Sequence, residues 1–503
     1  MSRRWTSLLL LTTFLNACMV WRVRPVEQQS VTGQVRVTLG GQIVTLERPS
    51  IAGDSLIGDR DGQRVAFPVS EIRELEVREL NAGKTMLAIV GIGITALLIG
   101  AAIDRANDPP PPPPPPPSSC GSTCTFSCPL VYSWDGTKWR LDSGTFGGAI
   151  LHALARTDVD NLDAATVQDG ELRLKVANEL NETDHLDALS VLAVDHPMDV
   201  TVAPDDFGHL YTIGALAGPV TARDFAGRDV GSRVSTADGW SWESAPRVRD
   251  TANAADVRDG VELTFLRPPG ARQARLVVDA HNTPWGARML YEYIRAHGRE
   301  TAAWYDSLNT RPHMARLVGG TLAREAFLSV SVRTSSGWQP QGLIWEAGPE
   351  IVKRQVAPLD LSAASGDTVH VRLEAPPSFW LVDRVAMDFS TPQPVVVHDV
   401  PATSAVDGRG RDVRLLIQAV DDSSLTLETG DFAELAFRVP DVPSGARRTY
   451  LLRSHGWYQI HTVEAGAPST ALLQRVQTEP HAISRISVSM MNDALRALEG
   501  SRR

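Results

Sequence analysis

Side chains that could ligate metal, form disulfides or move protons are sparse in these 503 residues, so their spacing decides what they can do. Cys120, Cys124 and Cys128 recur with three residues between neighbours, mostly Gly, Ser and Thr. Zinc sites usually leave two residues between paired cysteines and need a fourth ligand, and no histidine stands close by in the sequence. In an oxidising compartment, two of Cys120, Cys124 and Cys128 would close a small disulfide and leave the third for a bridge to another chain. Reduced structural cysteines and a metal site are the alternatives. His281, His297 and His313 follow at sixteen-residue intervals, which is not ligand spacing. Asp184-His185 and Asp195-His196 are adjacent pairs, and neighbouring side chains of a strand point apart. They fit structural or solvated roles. No H-E-x-x-H, phosphate loop or G-x-S-x-G occurs. No catalytic set, cofactor or metal is expected.

Gly53-Asp54-Ser55-Leu56 resembles the nucleophile motif of GDSL esterases, and Asp206-Phe-Gly-His209 supplies a D-x-x-H downstream. In that family the serine follows a buried strand and precedes a helix, and Asp and His orient and deprotonate it. Here Pro49-Ser50 precede it and an Asp/Gly-rich turn follows, without the family's G-x-N-D block. The match at Gly53–Leu56 is read as coincidence and Ser55 as a strand residue.

The elements that must position any site begin with an export signal. Arg3-Arg4 precede the apolar run Leu8–Leu15, and Leu15-Asn16-Ala17-Cys18 follows. Basic end, short apolar core and small residue before a cysteine form a signal peptide over 1–18. The tetrapeptide resembles the lipobox of bacterial lipoproteins, which implies lipidation of Cys18 and anchoring in the cell envelope. Residues 31–80 alternate short strands with Gly/Asp turns and predict a small SH3-like or Sm-like barrel. Met86 to Ile103 is an uncharged, apolar stretch inside a hydrophobic segment at 85–104. It is just long enough for a transmembrane helix, and Gly91, Gly93, Ala96 and Gly100 are small residues suited to self-association. Within 105–128, Pro109 to Pro117 is a stiff polyproline spacer leading to the cysteines.

The rest is mainly β and internally repeated. Gly170-Glu-Leu-Arg-Leu-Lys-Val matches Gly366-Asp-Thr-Val-His-Val-Arg; Gly227-Arg-Asp-Val230 matches Gly410-Arg-Asp-Val413; Glu262-Leu-Thr-Phe265 matches Glu434-Leu-Ala-Phe437. The pairs keep their order, as a duplication requires. Period-two alternation between turn residues predicts two tandem β-sandwich domains at 129–284 and 326–480. Phe379–Asp388 resembles the closing strands of galactose-binding-like jelly rolls, which implies that fold and no ligand. The region 128–460, from Cys128-Pro-Leu-Val-Tyr-Ser-Trp-Asp-Gly136 through Trp285-Gly-Ala-Arg-Met289, resembles a recurrent bacterial cell-envelope family. Between the copies, at 285–325, Pro284 opens an amphipathic helix with the stripe Leu290, Ile294, His297, Thr301, Trp304 and Leu308. A second helix from Pro312 should break at Gly319-Gly320, making a helical hairpin. Residues 481–503 form a tail with helical character.

A net charge of −10, spread along the chain, argues against a nucleic-acid partner. The sequence therefore predicts a membrane-anchored envelope protein held by Cys18 and the helix at 86–103, with its large domain on the periplasmic or surface side. Its role would be that of a non-catalytic scaffold or binding module with a protein or glycan partner. Carbohydrate or peptidoglycan binding through Trp139, Trp240, Trp338 and Trp457 is the alternative, and a hydrolase of unrecognised type the remoter one. Features shared by both copies serve the fold. A site peculiar to the protein belongs in the helical insert or between the sandwiches.

Overall fold

The computed structural model describes residues 19–24, 34–39, 42–52, 55–60, 63–69, 72–80, 129–243, 257–345, 347–421, 423–462 and 465–501. Cys18, the hydrophobic segment 85–104, the proline run and Cys120, Cys124 and Cys128 lie outside the described residues. Among the described residues no helix is long and apolar enough to cross a membrane. The chain divides into two compact units, the first ending at Pro112.

The first unit is one antiparallel sheet. Its strands are β1 (Met19–Arg24), β2 (Gln34–Leu39), β3 (Gln42–Ala52), β4 (Ser55–Arg60), β5 (Gln63–Pro68) and β6 (Ile72–Leu80), in the order β1-β6-β2-β3-β4-β5. Val35, Val37, Val44, Leu46, Leu56 and Ile72 form its core, with Val65 and Phe67 packed against them. Alternation puts these residues on one face. The unexpected member is β1, which pairs with β6 from Met19↔Leu80 to Arg24↔Leu75.

The second unit holds four groups of strands. The first is β7 (Leu130–Trp134), β8 (Trp139–Gly144), β9 (Arg156–Asn161), β10 (Glu171–Ala177) and β11 (Glu182–Pro197); the hairpin β12 (Thr201–Pro204) and β13 (Leu210–Ile213) follows. The second group is β14 (Leu216–Ala217), β15 (Thr221–Asp224), the short helix α1 (Gly231–Val234), β16 (Trp242–Glu243), β17 (Asp259–Leu266) and β18 (Gln273–Asn282). Helices α2 (Pro284–Arg295), α3 (Thr301–Asn309) and α4 (Pro312–Ala326) come next. The third group is β19 (Leu328–Thr334), β20 (Gly337–Ile344), β21 (Lys353–Asp360), β22 (Thr368–Ala375) and β23 (Trp380–Asp388). The fourth is β24 (Val396–Pro401), β25 (Ser404–Asp407), β26 (Leu425–Leu427), β27 (Phe432–Arg438) and β28 (Ala446–Ile460), before helices α5 (Thr470–Thr478) and α6 (Ala482–Ser501).

Two sheets carry the same order, β25-β27-β10-β7-β8 and β15-β17-β22-β19-β20. The other two also match: β24-β11-β28-β9 with β26 against β11, and β14-β23-β18-β21 with β16 against β23. The duplication is therefore real in three dimensions, but the copies exchange halves. The first group pairs with the fourth, and the second with the third. The tandem division at 129–284 and 326–480 is corrected accordingly: residues 216–388 complete one pair of sheets, which interrupts the other, built from 130–197 and 396–460. Each copy offers the same complementary edges, so contact energy alone does not choose between a copy's own half and its neighbour's; the connections choose.

Local geometry repeats closely. At Asp224 one carboxylate oxygen accepts from the backbone N–H of Ala226 and Arg228, while the Arg228 Nε donates to the other at 2.6 Å. Asp407 does the same with the N–H of Arg409 and Arg411 and the Arg411 side chain at 2.7 Å. Gly227 and Gly410 turn these loops at φ of 80° and 78°, where a Cβ would be strained. Register is also matched, Leu172↔Phe437 in one sheet and Val369↔Phe265 in the other. Leu172 thus corresponds to Val369, one residue later than the aligned Gly170 and Gly366 imply. An odd slip would have turned the buried face outward, so the second turn carries the extra residue.

The helical insert departs from a simple hairpin. Thr283 caps α2, its hydroxyl accepting from the Gly286 N–H at 3.1 Å. The stripe Leu290–Leu308 is cut at Gly298, φ 54°, into α2, a 3₁₀ turn at Gly298–Glu300 and α3. Ile294, His297, Thr301 and Leu308 are nonetheless buried. Helix α4 runs unbroken through Gly319-Gly320, contrary to expectation. A Cβ at Gly319 would lie 2.8 Å from Leu154 Cδ2, so the glycine admits close packing that outweighs its helix penalty of about 1 kcal/mol. The tail is helical, and the Trp285 Nε1 donates to Ser487 on α6 at 2.8 Å.

Candidate functional site

The insert, the tail and the start of β9 enclose an apolar cavity of about 400 Å³. Its walls are Leu154 from the 3₁₀ turn before β9, Met289 and Tyr293 of α2, Leu322 and Ala323 of α4, and Ile483 of α6. Phe327, Trp345 and Phe379, which flank β19, β20 and β23, close it on the sheet side. Its charged lining residues are Arg156 and Arg316.

Arg156 begins a buried ionic cluster. Its guanidinium lies 4.5 Å from the Trp345 ring centroid, and Nη2 stands 3.8 Å from Asp158, beyond hydrogen-bond range. Among the described residues its buried Nε has no hydrogen-bond partner. Asp158 instead accepts from the Lys353 ammonium at 2.7 Å and from the Phe146 N–H at 2.9 Å. Burial raises the Asp158 carboxyl, but Lys353 and Arg156 outweigh it and hold the group below the ordinary range. Asp160 shares the face, as period two requires; it accepts from the Ser143 hydroxyl at 2.6 Å and lies 3.9 Å from Lys353. Burial, with the Asp158 charge adding to it, pushes Asp160 to about 7, and burial pushes Asp142 to about 6. Burial and the neighbouring Asp205 raise Asp206 to about 6. The cluster ties β9 to β21, which occupy equivalent places in their sheets. It has no partner arrangement for nucleophilic chemistry.

A second polar group surrounds Trp457. The His185 ring stacks on it at 4.0 Å, with His152 at 5.6 Å. His455 bonds Thr157 at 3.0 Å and lies 3.7 Å from Asp187. Burial lowers both His185 and His455, keeping the rings neutral near pH 7. Asp184, adjacent to His185, is fully buried, and burial together with Glu182 raises its carboxyl well above the ordinary range. Asp195 pairs with Arg448 at 2.6 Å and His398 at 3.0 Å, while His196 bonds Thr449 at 2.9 Å.

The remaining residues singled out in the sequence are dispersed. Ser55 opens β4 opposite Ala52 and Pro68 in the first unit. His209 belongs to the second unit and bonds Asp205 at 2.9 Å, with Asp206 apart from it in the same turn. His281 meets the Pro349 carbonyl at 3.3 Å, His297 stacks on Trp304 at 4.1 Å, and His313 is exposed. Among the described residues no group of His, Cys, Asp or Glu is arranged to hold a metal ion. The four tryptophans are half-buried, each covered by its own chain. Arg173 lies 5.4 Å from Trp139, Arg233 4.2 Å from Trp240 and Arg372 4.4 Å from Trp338, and His185 covers Trp457. A ring face engaged by a cation presents less surface for sugar stacking. Sequence reasoning missed Arg156, Trp345 and Lys353; the Asp158-Val-Asp160 alternation at the start of a strand was the available signal.

No family model and no curated protein matches this chain. Among solved structures, the cryo-EM structure of a mutant of the arabinofuranosyltransferase AftD from Mycobacteria aligns at 10% identity over 88% of this chain and 32% of that one, with a TM-score of 0.14. The chain spans about a third of that protein's length, and a likeness this low carries no argument.

Proposed function

We propose that this chain is a lipid-anchored cell-envelope protein that acts as a non-catalytic scaffold or partner-binding module. Its paired sheets are two jelly-roll-like β-sandwiches, joined by exchange of halves, and Cys18 with the segment at 86–103 holds it to the membrane. The observation that carries the binding reading is the apolar cavity at the helical insert. Acids, histidines and tryptophans elsewhere are engaged by neighbours of the same chain, which favours a structural role for them. Capping of Trp139, Trp240 and Trp338 by arginines weighs against the glycan alternative.

Co-purification of the full-length, membrane-extracted protein tests the module. A stable stoichiometric partner is expected, and a clean monomer under gentle extraction would refute it. Cys18→Ser should abolish lipid labelling and release or misroute the protein; unchanged labelling and membrane fractionation would remove the lipoprotein reading.

A further inference from the structure

Three observations at the cavity point to what would fill it. Its walls are almost wholly apolar, and at about 400 Å³ it lies in the lower part of the size range of small-molecule pockets, roughly 300–1,000 Å³. Water filling it would number on the order of ten molecules at about 30 Å³ each, with few polar partners. Such a space favours an apolar occupant.

Charge supplies the second observation. The charged lining residues, Arg156 and Arg316, are both cations. Arg156 stands on the wall with its guanidinium over the Trp345 ring and 3.8 Å from Asp158. Asp158 and Asp206 face Arg156 from the sheet side, but Asp158 is already engaged by Lys353. Arg316, on α4, is exposed.

The third is the wall that carries Arg316. Helix α4 buries only Ala315 fully, while Met314 and Leu317, on either side of Arg316, are 40% and 63% exposed. A helix so thinly covered is poised to shift as a chain enters beneath it.

Building on the binding-module reading, we propose that this cavity binds a single aliphatic chain with an anionic head. The tail lies among Leu154, Met289, Leu322 and Phe327, and the head sits at Arg316, with the Arg156 guanidinium on the same lining. A free fatty acid and a lysophospholipid share this chemistry; a two-chain lipid is too large for the space.

The full-length protein in native-membrane extracts, exposed to a diazirine-bearing fatty acid and irradiated, should carry label on the peptides that line the cavity, those holding 148–156, 284–345, Phe379 or Ile483. Decanoate should compete, while decanol and decyltrimethylammonium should not. Competition by lysophosphatidylglycerol stronger than by decanoate would identify the lysolipid as the source, and the reverse a free acid. Ala323→Phe should abolish labelling by filling the cavity. The exposed substitution Arg316→Glu should lower it about tenfold, as loss of a charge-assisted hydrogen bond implies, with Arg324→Glu leaving it unchanged. Label away from the peptides that line the cavity, equal competition by the cation, or full labelling of Arg316→Glu would overturn the assignment. If a partner still co-purifies while labelling fails, the ligand alone is refuted. If labelling succeeds and no partner is found, the scaffold reading falls instead.

Discussion

Replacing Asp160 by Asn tests the electrostatics that join β9 to β21. Burial pushes the folded-state carboxyl to about 7 from an ordinary 3.8. A group whose folded pKa is raised contributes its full stability below the unfolded value, and that stability is lost as pH rises through the folded one. The window is therefore about pH 4 to 7. Each factor of ten in proton affinity is worth about 1.4 kcal/mol, so ionisation of Asp160 costs the folded state about 4 kcal/mol by pH 8, of which about 2–3 kcal/mol accrues above pH 5. An asparagine never pays it. Its carbonyl can still accept from the Ser143 hydroxyl, while its amide N–H groups face Lys353, a pH-independent cost of about 1 kcal/mol. Urea unfolding of the full-length protein followed by tryptophan fluorescence should show Asp160→Asn gaining about 2–3 kcal/mol on the parent between pH 5 and pH 8. A difference that stays constant with pH would mean that Asp160 is ionised throughout and paired with Lys353, and the reasoning would fail.

The duplicated turns give an internal control. Asp224→Ala and Asp407→Ala each remove two backbone acceptor bonds and an arginine pair, so each should cost about 1–2 kcal/mol, the double variant showing their sum within about 0.5 kcal/mol; clearly unequal losses would contradict equivalent roles. Burial lowers His185, His281, His297 and His455, so their contribution is full above about pH 6.5 and falls as pH drops through the lowered values. His455→Gln should flatten the loss of melting temperature between pH 7 and 5, and an unchanged slope would count against the assignment. Gly298→Ala should lower stability by about 1–2 kcal/mol, because φ is 54° and its Cβ would stand 2.8 Å from the Gly466 carbonyl oxygen; a neutral result would show that the turn relaxes.

Strand alternation, the recurring Gly-Arg-Asp-Val loop and the proline-initiated helices are visible in the chain because each depends on residues a few positions apart. Asp224 and Asp407 bind N–H groups within four residues, so their loops repeat wherever the local sequence repeats. Even the adjacent pairs Asp184-His185 and Asp195-His196 behave as strand geometry requires, each member bonding different neighbours, as Asp195 does with Arg448 and His196 with Thr449. The intact helix across Gly319-Gly320 is different. Its reason is Leu154, far back in the chain, and propensity knows nothing of such a contact.

The sequence by itself determined a mainly β chain, its duplication, most element positions and the helical insert. Only the tertiary structure decided that the copies trade halves, because duplicated edges are interchangeable in composition and alternation. It also decided the cavity, whose wall residues come from segments as distant as Leu154 and Ile483 and meet only once the helices pack. Arg156 and Lys353 acquire meaning in the same way. Each is an ordinary cation at the start of a strand until folding buries it beside Asp158, where low dielectric and scarce partners make one charge count.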